Sequence, residues 1–237
     1  MSIETVGRTH PGCRRAVNED AFLTRPDAGI WAVADGVGGH TAGDVASALV
    51  TQRLADCDAA GDVAARADGA ERALLGANAA LLELSRSAEA ARTISTTVVA
   101  LVAGADAFTC LWAGDSRAYL AREGRLAQLT KDHSLVQQLV DLGELDPAEA
   151  ATHPNANIIT RAVGGAAVLK VDRVSGDIRP GDVFLLATDG LTRLVSEAEL
   201  AERLGAADLE AEADRLIDLC LARGAPDNVT FVILRAS

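Results

Sequence analysis

The sequence predicts an α+β protein: two antiparallel β-sheets packed in layers, with helices laid against them. Three observations carry this. Runs rich in Val, Ile, Leu and Thr, punctuated by Gly or Asp turns, recur near residues 2–8, 20–24, 30–35, 95–103, 107–113, 116–121, 168–178, 182–188 and 228–235. Gly104-Ala105-Asp106 and Arg122-Glu123-Gly124-Arg125 are short enough to close hairpins, which pair strands antiparallel. Helical patterns come in blocks between groups of strands, which favours layers over a βαβ succession.

The first three strand-like runs precede the first helical block. There, Ala42 to Cys57 carries Val45, Ala46, Leu49, Val50 and Leu54 as an apolar stripe at helical spacing. From about Val63 to Ala91 the chain is rich in Ala and Leu, with Leu74, Leu75, Leu81, Leu82 and Leu84, and predicts a second, longer helix. Three strands follow, then a shorter helical pattern, Leu135 to Val140, which ends before Gly143. Two more strands lead to helices at 196–204 and 208–223, and the last strand closes the chain. The 237 residues show no internal repeat and no low-complexity linker, so one domain over 1–237 is expected. Aromatic residues are only 3 %, so the core must be built from Ala, Val, Leu and Ile. The segment 131–165 departs from the pattern: it is mixed in polarity and holds His133, His153 and Pro154. Inserted segments of this length beside a site often act as lids, so this one is read as a flap, with a surface helical excursion of no role as the equal alternative.

Charge narrows the range of functions. Thirty-four acidic and 22 basic residues give a formal charge of −12, which argues against nucleic acid or an anionic membrane as the main partner. Cys13, Cys57, Cys110 and Cys220 lie far apart with no CxxC pair, so free thiols serving as small core residues are expected and structural zinc is not. No C-x₅-R arrangement points to a thiol nucleophile. The first residues lack a signal-peptide pattern, and no apolar run reaches membrane-spanning length. A cytoplasmic monomer is expected.

The chemistry lies in short acidic segments: Asn18-Glu19-Asp20, Asp35-Gly36, Gly114-Asp115-Ser116-Arg117, Asp189-Gly190 and Asp227-Asn228. Several end an apolar run, as in Ile30-Trp31-Ala32-Val33-Ala34-Asp35 and Val183-Phe184-Leu185-Leu186-Ala187-Thr188-Asp189. A carboxylate at the mouth of a buried strand is costly unless it is paired, hydrogen-bonded or metal-bound. Several such groups suggest a hard divalent cation held by oxygen. Gly36-Val37-Gly38-Gly39 lacks both the G-x-G-x-x-G spacing and a Walker lysine, so it is not read as a nucleotide loop.

Taken in order, Arg15-x-x-Asn18-Glu19-Asp20, Asp35-Gly36-x-Gly38-Gly39-His40-x-Ala42-Gly43, Ser95-Thr96-Thr97, Gly114-Asp115-Ser116-Arg117, Asp189-Gly190 and Asp227-Asn228-x-Thr230 resemble the metal-dependent protein phosphatases of the 2C type, in their compact bacterial form. The resemblance runs from about Arg15 to Thr230. It implies a four-layer αββα sandwich and a serine/threonine phosphatase that uses two core Mn²⁺ or Mg²⁺ ions, with room for a third. By the same resemblance Asp35 bridges the two ions, the Gly36 carbonyl ligates one of them, and Asp189 and Asp227 complete the protein ligands. Asp115 would serve the third ion together with Asp189, while Glu19 and Asp20 act through bound waters. Two ions suit the task, because they lower the pKa of a shared water and clamp a phosphoryl group during in-line attack.

Arg15 matches the family's phosphate clamp, and its planar fork suits two phosphate oxygens. His40 is a candidate proton donor to the leaving group, with a metal-bound water as the alternative donor. Ser95, Thr96, Thr97, Ser116 and Arg117 read as structural braces, as do His133 and His153 within the flap. The implied substrates are phosphoserine and phosphothreonine in proteins, and the implied partner is a serine/threonine kinase whose products this chain reverses. Two other readings remain at this point: a catalytically weak binding module on the same fold, and a phosphoesterase acting on small molecules.

Overall fold

The computed structural model describes residues 2–37, 42–87, 93–150 and 152–237. In chain order the first half contains β1 (Ile3–His10), β2 (Asp20–Arg25), β3 (Ile30–Val37), α1 (Gly43–Ala55), α2 (Val63–Ser87), β4 (Ser95–Thr96), β5 (Val98–Ala103) and β6 (Ala107–Ala113). The second half contains β7 (Arg117–Arg122), β8 (Arg125–Gln128), α3 (Leu135–Asp141), α4 (Pro147–Ala150), β9 (Asp172–Asp177), β10 (Val183–Ala187), α5 (Asp189–Thr192), α6 (Glu197–Arg203), α7 (Leu209–Ala222) and β11 (Val229–Ala236).

The predicted two-sheet sandwich is what forms. One sheet runs β1-β11-β10-β7-β8 and the other β2-β3-β5-β6-β9, with β4 added against β3, and all pairings are antiparallel. Side chains alternate along a strand, so each central strand feeds two apolar layers at once. In β3, Trp31 and Val33 point between the sheets, while Ile30, Ala32 and Ala34 point toward α1 and α2. In β10, Phe184 and Leu186 face the other sheet, and Val183, Leu185 and Ala187 face the layer shared with α6 and α7. This double burial explains why these strands read as unbroken apolar runs. Phe108 and Phe184 meet edge-to-face across the sheets at 4.9 Å, a geometry that adds about 0.5–1.5 kcal/mol beyond area burial.

The helices fill the outer layers with small residues. Ala67, Ala70, Leu74, Ala77 and Leu81 of α2 are fully buried at helical spacing, against Val98, Ala100 and Val102 of β5. Ser196 and Glu199 form a capping box that fixes the start of α6, and Asp208 caps α7.

Several predicted boundaries are corrected. The strand expected over 95–103 is broken at Thr97, which leaves the ladder to bond the Asp35 backbone. The strand expected over 168–178 begins only at Asp172. The strand β8 and the single-turn helices α4 and α5 were not predicted, and α2 is seen as far as Ser87, with 88–92 outside the described residues. Of the cysteines, Cys110 and Cys220 are buried as expected, whereas Cys13 is exposed; all four are free.

Candidate active site

The two sheets end together at one edge, and the acidic segments lie there. Asp35 and Gly36 stand at the end of β3, Glu19 and Asp20 where β2 begins, and Asp115 in the turn between β6 and β7. Asp189 opens α5 just beyond β10, and Asp227 sits two residues before β11. Antiparallel register places Asp20 directly opposite Asp35. A cavity of about 280 Å³ is lined by Asp35, Asp115, Asp189 and Asp227, with Glu19, Gly36 and Arg15 in its wall. Asp20 lies behind this wall, where one carboxylate oxygen accepts a hydrogen bond from the Thr188 hydroxyl at 2.9 Å. His40 lies outside the described residues.

Backbone contact, more than side-chain packing, brings these segments together. The Gly36 amide donates to the Glu19 carbonyl at 3.1 Å, and a Cβ on Gly36 would stand 2.2 Å from the Gly43 carbonyl oxygen. A Cβ on Gly190 would meet the Asn228 carbonyl at 1.8 Å, so only glycine lets α5 close on the start of β11. The Asn228 amide group donates to the carbonyls of Pro11 and Val17, and its side-chain oxygen accepts from the Glu19 amide. Asn228 thus fastens the loop that carries Arg15 and Glu19. Thr97 accepts from the Asp35 amide and shares a 2.7 Å hydrogen bond with Ser116, tying the Asp35 and Asp115 segments together. Arg117 forks onto Asp132 and so braces the other side of the turn.

The electrostatics are those of crowded, desolvated acids. Burial is the main cause that raises the carboxyls of Asp20 and Asp115 to about 7, with Asp189 adding to both. Burial also pushes Asp35 and Asp189 upward; the surrounding aspartates reinforce it at Asp35, while at Asp189 the Arg193 guanidinium opposes it and Asp227 adds to it. Two buried carboxylate oxygens, Glu19 Oε1 and Asp20 Oδ1, have no hydrogen-bond partner among the described residues. Clustered oxygen donors with unsatisfied lone pairs are the donor set that hard divalent cations take. The carboxylates remain spread around the wall, and among the described residues no three acidic, histidine or cysteine side chains chelate one point as they stand. Like charges repel, and two arginines each draw one aspartate aside: Arg15 holds Asp227 at 2.7 Å and Arg193 holds Asp189 at 2.9 Å.

The comparisons with known proteins bear directly on this geometry. The sequence model of protein phosphatase 2C matches residues 6–218. The chain belongs to the protein phosphatase 2C family. It is 41 % identical over 236 residues to the serine/threonine protein phosphatase PstP of Mycobacterium tuberculosis, covering 98 % of this chain and 45 % of that protein, so it spans about half the length of that relative. The serine/threonine phosphatase stp of Listeria monocytogenes is 34 % identical, with 96 % of this chain and 93 % of that protein covered. Among solved structures, M. tuberculosis PstP/Ppp superposes with a TM-score of 0.90 at 38 % identity, covering both chains fully. The PstP catalytic domain in complex with two manganese ions superposes at 0.87 with 37 % identity, covering 98 % of this chain and 97 % of that one.

Of the residues expected to hold metal or phosphate, Arg15, Glu19, Asp35, Gly36, Asp115, Asp189 and Asp227 line the cavity and Asp20 lies behind it. Two polar residues of the site carry no mark in the sequence reading. Arg193 follows Asp189 by one helical turn, so its side chain returns to that carboxylate. Asn157, from the segment 131–165, lines the cavity and accepts a hydrogen bond from Arg193. The i,i+4 spacing of Asp189 and Arg193 was the available signal for the first, hidden because α5 is a single turn without an apolar stripe. The contact of Asn157 depends on a long-range fold-back that carries no local signal.

Proposed function

We propose that this chain is the catalytic domain of a protein serine/threonine phosphatase, which hydrolyses phosphoserine and phosphothreonine with two divalent ions, Mn²⁺ or Mg²⁺. The observation that carries it is the convergence of Asp35, Asp115, Asp189 and Asp227 on one cavity beside an arginine, with unpartnered carboxylate oxygens at its back. Asp35 and the Gly36 carbonyl, with Asp189 and Asp227, are the groups that would hold the two core ions; Asp115 with Asp189 would hold a third. Bound there, such ions supply an activated water and offset phosphoryl charge.

The chain's own residues do the rest. Arg15 is half exposed at the cavity mouth, and its pairing with Asp227 holds the fork at the rim, where two phosphate oxygens can be met together. The Thr188 hydroxyl holds one oxygen of Asp20, and Glu19 is fixed through its backbone by Asn228, so both carboxylates are oriented to hold bound water. The described part of 131–165 would serve as the flap, since its Asn157 and Ile159 wall the cavity. Among the described residues no helix is long and apolar enough to cross a membrane. The proposed setting is the cytoplasm, with phosphoproteins as substrates and a serine/threonine kinase as the opposing enzyme.

The test is direct. Purified protein should hydrolyse an aryl phosphate with Mn²⁺ and stop when a chelator is added. Asp35→Asn should lower kcat/KM by about 10³-fold or more, since that carboxylate would serve both ions. Undiminished turnover in that variant would sink the proposal. Faster turnover of a phosphothreonine peptide than of small phosphoesters separates a protein phosphatase from a small-molecule phosphoesterase.

A further inference from the structure

Arg193 uses its whole fork at the edge of the acidic cavity. Its Nε sits 2.9 Å from Asp189 Oδ2, and its Nη2 stands 3.9 Å from Asp115 Oδ2. The same Nη2 donates to the Ala156 carbonyl at 3.4 Å, and Nη1 donates to the Asn157 side chain. Asp115 is 7 % exposed, so its charge has little water to screen it. One fixed cation therefore spans two acids on separate strands' ends and is anchored from outside by the flap.

We propose that Arg193 is the resident counter-cation of Asp115 and Asp189, so that a third divalent ion enters between them only by displacing its guanidinium. This rests on the two-ion reading above and concerns what that reading leaves open, namely how strongly the third position is held. The charge balance sets the competition. Two carboxylates and one guanidinium leave one net negative charge, whereas two carboxylates and a divalent ion leave none. All three cationic charges together would leave an excess positive charge at a largely desolvated place, which low effective dielectric makes unfavourable. Arginine keeps its charge at every working pH, so the competition is not relieved by deprotonation. The neutral hydrogen bonds to Ala156 and Asn157 add to what the ion must break, which links occupancy of the third position to the flap.

Mn²⁺ binding isotherms, by titration calorimetry and by equilibrium dialysis, should be compared for wild type, Arg193→Gln and Arg193→Lys. Two tight ions should bind in all three proteins, which reports an intact core site. The third ion should bind about tenfold or more tightly in Arg193→Gln, where the competing charge is gone. In Arg193→Lys, which keeps the charge, it should stay near wild type. Equal third-ion affinity in wild type and Arg193→Gln overturns the proposal, as does the absence of any third ion from both. A wild type that fails to bind two tight ions instead overturns the two-ion reading, and this competition with it. The ion count is independent of turnover, so a change in catalysis alone cannot produce the expected pattern.

Discussion

At the scale of single residues, the informative contrast is between groups that hold the site's shape and groups that meet the substrate. Arg15 belongs to the second kind. Its pair with Asp227 is exposed on both sides, and such pairs contribute about 0–1 kcal/mol to stability. Arg15→Ala is therefore expected to leave the melting temperature within about 4 °C. Loss of a bidentate phosphate contact should raise KM for a phosphopeptide about tenfold, and Arg15→Lys should recover only part of it. An unchanged KM in Arg15→Ala would remove Arg15 from the substrate. Asp35, Asp115, Asp189 and Asp227 were legible in the sequence because each stands in a short motif, three of them at or just beyond an apolar strand. Arg193 was not, because its partners come from α5, the β6–β7 turn and the flap.

Among the elements, the strands buried on both faces were the most legible, since β3, β5, β6, β10 and β11 are short runs dominated by apolar residues and bounded by turn signals. The strand β8, with its exposed Arg125, Ala127 and Gln128, gave no such pattern. The late start of β9 has a specific cause. Residues before it are held in a turn against α2 by Asn78, which donates to the Ala166 carbonyl and accepts from the Gly164 amide at 2.7 Å. Gly164 has a φ of +87°, and a Cβ there would meet the Ile94 carbonyl at 2.3 Å, so this turn is a tight docking against the helix. Val163 continues the attachment by pairing with Thr96, one residue from the Thr97 that bonds Asp35. Asn78→Ala should cost about 1–3 kcal/mol, since it strands the buried Gly164 amide. It should also raise amide exchange at residues 163–166 more than at β10 and β11. Uniform loosening of the whole molecule would mean that Asn78 is merely a core residue and not the anchor of this segment.

For the whole molecule, gathering acids from both sheets at one edge makes stability depend on protons and ions together. The carboxyls of Asp20 and Asp115 stand near 7, against about 4 for an ordinary carboxylate, with burial as the leading cause; Asp35 and Asp189 move the same way. A folded-state pKa above the unfolded one means that the folded protein binds the proton more tightly. That contribution is complete below about pH 4 and is lost as pH rises through about 7. His133 works in the opposite direction, lowered by burial and by Arg161, but it is one group against four. Carboxyls held low, such as Glu199 at about 2 beside Arg223, lose their contribution only under acid and do not change between pH 5 and 8. With a chelator present, the melting temperature should therefore fall by several degrees from pH 5 to pH 8. Divalent ions bind the deprotonated carboxylates, so the gain in melting temperature from saturating Mn²⁺ should be small at pH 5 and large at pH 8. Thermal unfolding at both pH values, with and without the ion, measures this. A gain independent of pH, or a metal-free protein that grows more stable toward pH 8, would show that the four acids are not the groups the ion and the proton share.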